Sequence, residues 1–163
     1  MDPQPELRRQ LVDGLRGVDV HMDFEEAVAE LPDWAIAARP PNVPYTPWHV
    51  LEHVRITQWD ILEYIRNPDH VSPEWPAGYW PDPAEEPTRE RFEATLDGFR
   101  RDLAALEAIV LDPATDLLAP LPHAPRHTIL REIRLVANHN SYHLGEFAIL
   151  RQVMGSWGPG HRP

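Results

Sequence analysis

Residues 138–146 read Asn138-His139-Asn140-Ser141-Tyr142-His143-Leu144-Gly145-Glu146, and they interrupt an apolar stripe. Ile129, Ile133, Val136, Phe147, Leu150 and Met154 recur at the three-then-four spacing of a helix with one face in a core. Asn140 and His143 hold the positions that should continue the stripe, with His139 beside them. Residues four apart on a helix carry Cβ atoms about 5–6 Å apart on one face. His139 and His143 can therefore both reach one metal ion, each at about 2.0–2.1 Å. The bland alternative is a pair of core histidines satisfied by carbonyls or carboxylates, since an HxxxH spacing also arises by chance. In the zinc-protease form of such a helix, Glu directly follows the first histidine as general base. Asn140 stands there instead, so that mechanism has no support.

The rest of the chain reads as a helical scaffold for this segment. A first helix is expected over 4–17, with Leu7, Leu11 and Leu15 on one face and Gly14 and Gly17 marking its end. Asp23 suits the N-cap of a short piece that turns Phe24, Ala27, Val28 and Leu31 inward and is closed by Pro32. Residues 38–47 form a proline-rich connector. Thr46 and Pro47 then open a helix to about Arg66. Val50, His53, Thr57, Ile61 and Tyr64 share a face of it, whereas His49 sits in the first turn, toward the edge, and reads as half-exposed.

Residues 67–87 hold six prolines around Trp75, Tyr79 and Trp80, and a loop of this length is functional, self-packed or disordered. Three large aromatics argue against disorder and for a packed flap or a partner surface. The helix over 88–110 has a clean seam of Phe92, Leu96, Phe99, Leu103, Leu106 and Val110. Its outer residues, Arg89, Glu90, Arg100, Arg101 and Glu107, read as a solvated face. A connector over 112–127, carrying His123 and His127 as loop residues, leads to a last helix over 126–154, and the tail beyond Met154 is expected to fray. No strand pattern appears. The expectation is a single all-α domain over 1–163, core about 5–155, built as a four-helix bundle with a short extra helix.

Composition narrows the chemistry. The chain has 163 residues, 15 basic and 26 acidic, for a net charge of −11. Every basic residue is Arg, which excludes a lysine Schiff base and a P-loop lysine. With no Cys there is no disulfide framework, thiolate nucleophile or Cys-type zinc site. An acidic chain without a basic cluster is a poor nucleic-acid binder. No apolar run approaches membrane-spanning length and the first residues lack a signal-peptide core, so a cytoplasmic protein is expected.

Two stretches together resemble the DinB-like (YfiT-like) family of metal-dependent bundle proteins. One is Thr46-Pro47-Trp48-His49-Val50-Leu51-Glu52-His53 through Trp59; the other is His139-Asn140-Ser141-Tyr142-His143-Leu144-Gly145-Glu146 through Leu150-Arg151. The likeness spans about residues 5–155, and these motifs hold nearly all its specificity. It implies a four-helix bundle, often dimeric, in which His53, His139 and His143 hold a divalent metal. His49 lies outside the family's required positions, and Glu146 stands where members commonly have Gln. Relatives use or transfer low-molecular-weight thiols, isomerise substrates or have no assigned reaction.

Two functions follow. The first is an enzyme, a hydrolase or thiol-dependent transferase, whose metal activates water or a thiol for a small-molecule substrate. Glu146 is its candidate catalytic residue, as general base or as the carboxylate orienting a ligand imidazole. Asn138, Asn140 and Tyr142 are candidates for substrate contact or for plain helix surface. The second is a non-catalytic metal-stabilised bundle acting as a binding or homodimerisation module. Imidazole ligation suits zinc, nickel, copper or iron. Deprotonated ligands should make binding pH-dependent, with metal leaving below about pH 6.5.

Overall fold

Three threonines open the three longest helices. Thr46, Thr88 and Thr128 each accept, on Oγ1, the backbone N–H of the residue three further on, which satisfies a donor that a first helical turn otherwise leaves unpaired. The computed structural model describes residues 4–18 and 21–158. Along the chain run α1 (Gln4–Arg16), α2 (Phe24–Val28), α3 (Asp33–Ile36), α4 (Pro47–Arg66), α5 (Arg89–Leu111), β1 (Pro120–Leu121), β2 (Ala124–Thr128) and α6 (Ile129–Met154). The fold is mostly helical: α4 packs on α5 and α6, and α1 packs on the same two helices. Among the described residues no helix is long and apolar enough to cross a membrane.

The all-α expectation needs one correction. Residues 120–128, read as connector and start of the last helix, form an antiparallel hairpin pairing Pro120 with Thr128 and Leu121 with Ala124. Strands this short leave no period-2 signature to detect. The hairpin holds the chain extended to Thr128, which then caps α6, so the helix starts at Ile129 rather than near 126. Helix α3, absent from the elements expected above, begins directly after Pro32, a residue whose fixed φ suits a helix entrance.

The interior divides into two apolar clusters. One joins Trp48, Leu51, Val54, Phe92, Phe99, Leu144, Phe147 and Leu150 to α2 and α3, with Phe24 stacked on Phe99 at 3.8 Å. The other joins Val12, Leu15, Ile61, Leu62, Leu106, Val110, Ile133 and Val136. Between them in register lie Gln58 and Asn140. Asn140 donates to the Gln58 side-chain oxygen at 2.8 Å, and Gln58 donates to the Phe99 carbonyl at 2.8 Å. Asn140 therefore does continue the stripe of α6, as a buried polar residue rather than helix surface. The next core position is taken by Leu144, not His143, which lies on the shoulder.

Charged side chains tie the elements together. On α1 the buried face is Arg8, Val12 and Leu15, one step around from the expected leucine face. Arg8 is drawn inward because its guanidinium donates to the carbonyls of Val110, Asp112 and Thr115 where α5 ends, as a cation does at a helix C-terminus. The outer face of α5 is more than solvated surface. Arg100 pairs with Glu25, Glu107 with Arg16, and Arg89 with Asp33, so it holds α1, α2 and α3.

Candidate metal centre

His53 reaches the site from α4, where it is 3% exposed, and His139 and His143 reach it from one face of α6. Nε2 of His53 lies 3.2 Å from Nε2 of His143 and 3.1 Å from Nε2 of His139. One nitrogen from each ring falls within 4.8 Å of the other two, so the three could share a metal ion. All three residues singled out from the sequence thus meet at one point.

The partners of the outer nitrogens decide what the inner ones can do. His53 Nδ1 faces the Tyr79 carbonyl at 2.8 Å, and a carbonyl only accepts, so Nδ1 carries the proton. His143 Nδ1 faces the Glu146 carboxylate at 2.7 Å and by the same logic donates to it. Both rings, when neutral, therefore present bare lone pairs at Nε2. Two acceptors 3.2 Å apart make no hydrogen bond with each other. A cation between them does suit them, and the donor set fits a divalent metal.

The surroundings favour the neutral rings. Burial lowers the pKa of His53, and that of His139 is held down to about 3, by burial first and by the neighbouring His143 and His53 second. Protons therefore compete for the nitrogens of His53 and His139 at lower pH than for free imidazole, below the threshold near 6.5 expected from the sequence.

Glu146 uses both carboxylate oxygens. One accepts from His143, and the other accepts the hydroxyl of Tyr45. Its pKa is lowered, chiefly by the hydrogen bond from His143, while the Tyr45 phenol is pushed up to about 12, chiefly by Glu146. This places Glu146 behind the imidazole, aiming it.

Trp80 lies flat on His53, ring centroids 3.9 Å apart and planes within 2°, with Tyr45 5.5 Å from Trp80 and Tyr142 edge-on to His143 at 4.9 Å. The aromatic loop is thus in part a packed flap, although Trp75 stays 74% exposed. Tyr79 and Trp80 were legible only as loop aromatics. Tyr45 carried no signal in spacing.

The other histidines have different partners. His49, read as half-exposed, is buried: its Nε2 donates to the Asp82 carbonyl at 3.1 Å and its Nδ1 accepts from the Thr46 hydroxyl at 2.7 Å. His127 Nδ1 lies 3.0 Å from the Tyr64 hydroxyl, and His123 sits edge-on to the same ring at 4.8 Å. His21 meets Ser141 at 2.8 Å. Asn138 is exposed on α6, and Tyr142 is exposed there too, touching the cluster only edge-on at His143.

The sequence model of the DinB superfamily matches residues 18–147, most of the chain. The chain belongs to the DinB superfamily. That match takes in the two helices bearing the histidines, α4 whole and α6 as far as Phe147. No curated protein and no solved structure matches this DinB-superfamily chain.

Proposed function

We propose that this protein is a divalent-metal-dependent enzyme of the DinB type: one helical domain in the form of a four-helix bundle, with His53, His139 and His143 as metal ligands. The observation that carries the reading is the meeting of three imidazoles in which the Nδ1 protons of His53 and His143 are already committed elsewhere. A cation held there would supply Lewis acidity, lowering the pKa of a water or a low-molecular-weight thiol beside it. Three neutral ligands leave the ion's charge intact, as catalytic sites do.

The chain's own residues divide the remaining work. Glu146 fixes the tautomer and aim of His143, and of its two proposed roles this positioning one has the better support, because both oxygens are engaged and its pKa is lowered. Trp80 covers the His53 ring, with Tyr45 packed against Trp80. Hydrolysis and thiol transfer are the reactions this arrangement suits, on a small-molecule substrate.

The second reading is a homodimerisation or binding module stabilised by the same metal. A specific observation favours it: Leu135, Tyr142, Ile149 and Val153 are exposed along one face of α6 at heptad-like spacing.

Metal analysis of untagged protein tests the common ground. About one divalent ion per chain is expected, identifying zinc, nickel or iron, and its absence after reconstitution overturns both readings. Titrating cobalt-loaded protein with a small thiol then separates them. A thiolate charge-transfer band indicates an open position and favours the enzyme; an unchanged spectrum with a dimeric mass in light scattering favours the module.

A further inference from the structure

Asp60 lies on α4 seven positions beyond His53, so it projects from the same face of the helix two turns on. It is 6% exposed, an expensive place for a carboxylate without partners. Its partners come from the 67–87 loop. His70 donates from Nε2 to one oxygen at 2.7 Å, and Tyr79 donates its hydroxyl to the other at 2.7 Å. The Tyr79 phenol is pushed up to about 12, by burial first and Asp60 second, so it stays a donor.

The same Tyr79 touches the metal centre through its backbone. Its carbonyl accepts the Nδ1 proton of His53 at 2.8 Å, and the next residue, Trp80, covers the His53 ring. One residue is thus held by its side chain at Asp60 and by its main chain at His53. The hydrogen bond from His49 to the Asp82 carbonyl completes the attachment three residues later.

The geometry points to Asp60 as a positioning residue for His53, acting through Tyr79 with His70 as its second clamp. This rests on His53 being a metal ligand, as proposed above. An imidazole whose Nδ1–H loses its acceptor has two tautomers open to it, and in one of them Nε2 carries a proton and cannot bind metal. The clasp at Asp60 holds the Tyr79 carbonyl in place. His53 therefore keeps its Nε2 lone pair facing His139 and His143. The site is legible in no motif, because it is built from one helix residue and two loop residues that the fold brings onto it.

The experiment uses two independent readouts on Asp60→Ala, Tyr79→Phe, His70→Ala and His70→Gln. Nitrogen-15 NMR of the metal-free protein reads the tautomer of the His53 ring, and cobalt titration reads affinity and the d–d spectrum. Wild type should show His53 as the Nδ1–H tautomer alone. Asp60→Ala and Tyr79→Phe should give a tautomer mixture and a cobalt affinity lower by about 10-fold, with an altered spectrum. His70→Gln, whose amide can still donate to Asp60, should restore what His70→Ala loses. Tyr79→Phe removes a single hydroxyl and keeps the test open if Asp60→Ala does not fold. Variants that lower only the melting temperature, with tautomer and cobalt binding as in wild type, would overturn the proposal. If wild type binds no cobalt the metal reading fails, while the tautomer still decides whether the clasp positions His53.

Discussion

Helix α6 buries polar nitrogen at two places, and they are opposites. Near its C-terminus Arg151, fully buried, donates to the carbonyls of Ala27, Ala29 and Ser156 at 2.6–2.9 Å and lies 3.7 Å over the Trp157 ring. Burial lowers its pKa to about 10, which leaves it a cation at neutral pH. Two turns earlier, His143 meets His53 with acceptor facing acceptor. The first cluster brings its own charge and finds oxygens for it. The second brings lone pairs and suits a charge from outside. Burial of polar groups alone therefore says little about function; the match or mismatch of donors and acceptors separates a structural clamp from a ligand site.

Paired substitutions test that contrast most severely. His139→Ala should abolish stoichiometric metal while changing metal-free stability by no more than about 1 kcal/mol. Arg151→Met should do the reverse, lowering stability by about 3 kcal/mol as the buried carbonyls of Ala27 and Ser156 and the part-buried carbonyl of Ala29 lose this donor, with metal retained in the folded fraction. Metal analysis and denaturant unfolding on both variants check this, and a variant that lost both properties together would erase the distinction.

A smaller effect is expected behind the site. Glu146→Gln keeps the shape but removes the charge that holds the Nδ1 proton of His143. Metal affinity should fall by about 10-fold by competition titration. An unchanged affinity would leave the carboxylate without a positioning role.

The lowered pKa of His139 carries a sign that can be checked in metal-free protein. Its folded value, about 3, lies below the ordinary histidine value of 6.5, so between them the unfolded chain binds more protons than the folded one. Stability should therefore fall as pH drops from about 6.5 toward 3, and His53 adds in the same direction. Urea unfolding at pH 7 and pH 5 should show the loss, with a shallower dependence in His139→Ala. An identical slope in that variant would assign the effect to other groups.

The smallest change is expected at His49. His49→Ala should leave metal content as in wild type and cost about 1 kcal/mol for the hydrogen bonds to Asp82 and Thr46. Loss of metal there would move the α4 ligand back by one turn.

Much of this was legible in the chain, and the reasons differ by element. The seam from Phe92 to Val110 is buried with only Leu103 partly exposed, because a long helix packed on one face must repeat its apolar residues at the helical period. His139 and His143 were legible for the same reason, since their spacing is a property of one helix. The shift of Leu144 into the core was not, because three-then-four spacing admits either His143 or Leu144 and only the partner helices choose. The roles of Arg8 and Arg151 were hidden too: an arginine shows in sequence as surface charge unless the carbonyls it will reach are known.

By itself the sequence determined the long helices, through the Thr46 cap and apolar periodicity, and the candidate ligands His53, His139 and His143, through residue type and position on those helices. Tertiary structure alone decided that the imidazoles meet, which nitrogen of His53 and His143 faces inward, and that Glu146, Tyr79 and Trp80 stand behind them. The physical reason is range. Helix formation is set by interactions within a few residues of chain, which a sequence displays directly. A tautomer is set by whichever acceptor lies against the other ring nitrogen, and for His53 that acceptor is a loop carbonyl 26 residues away.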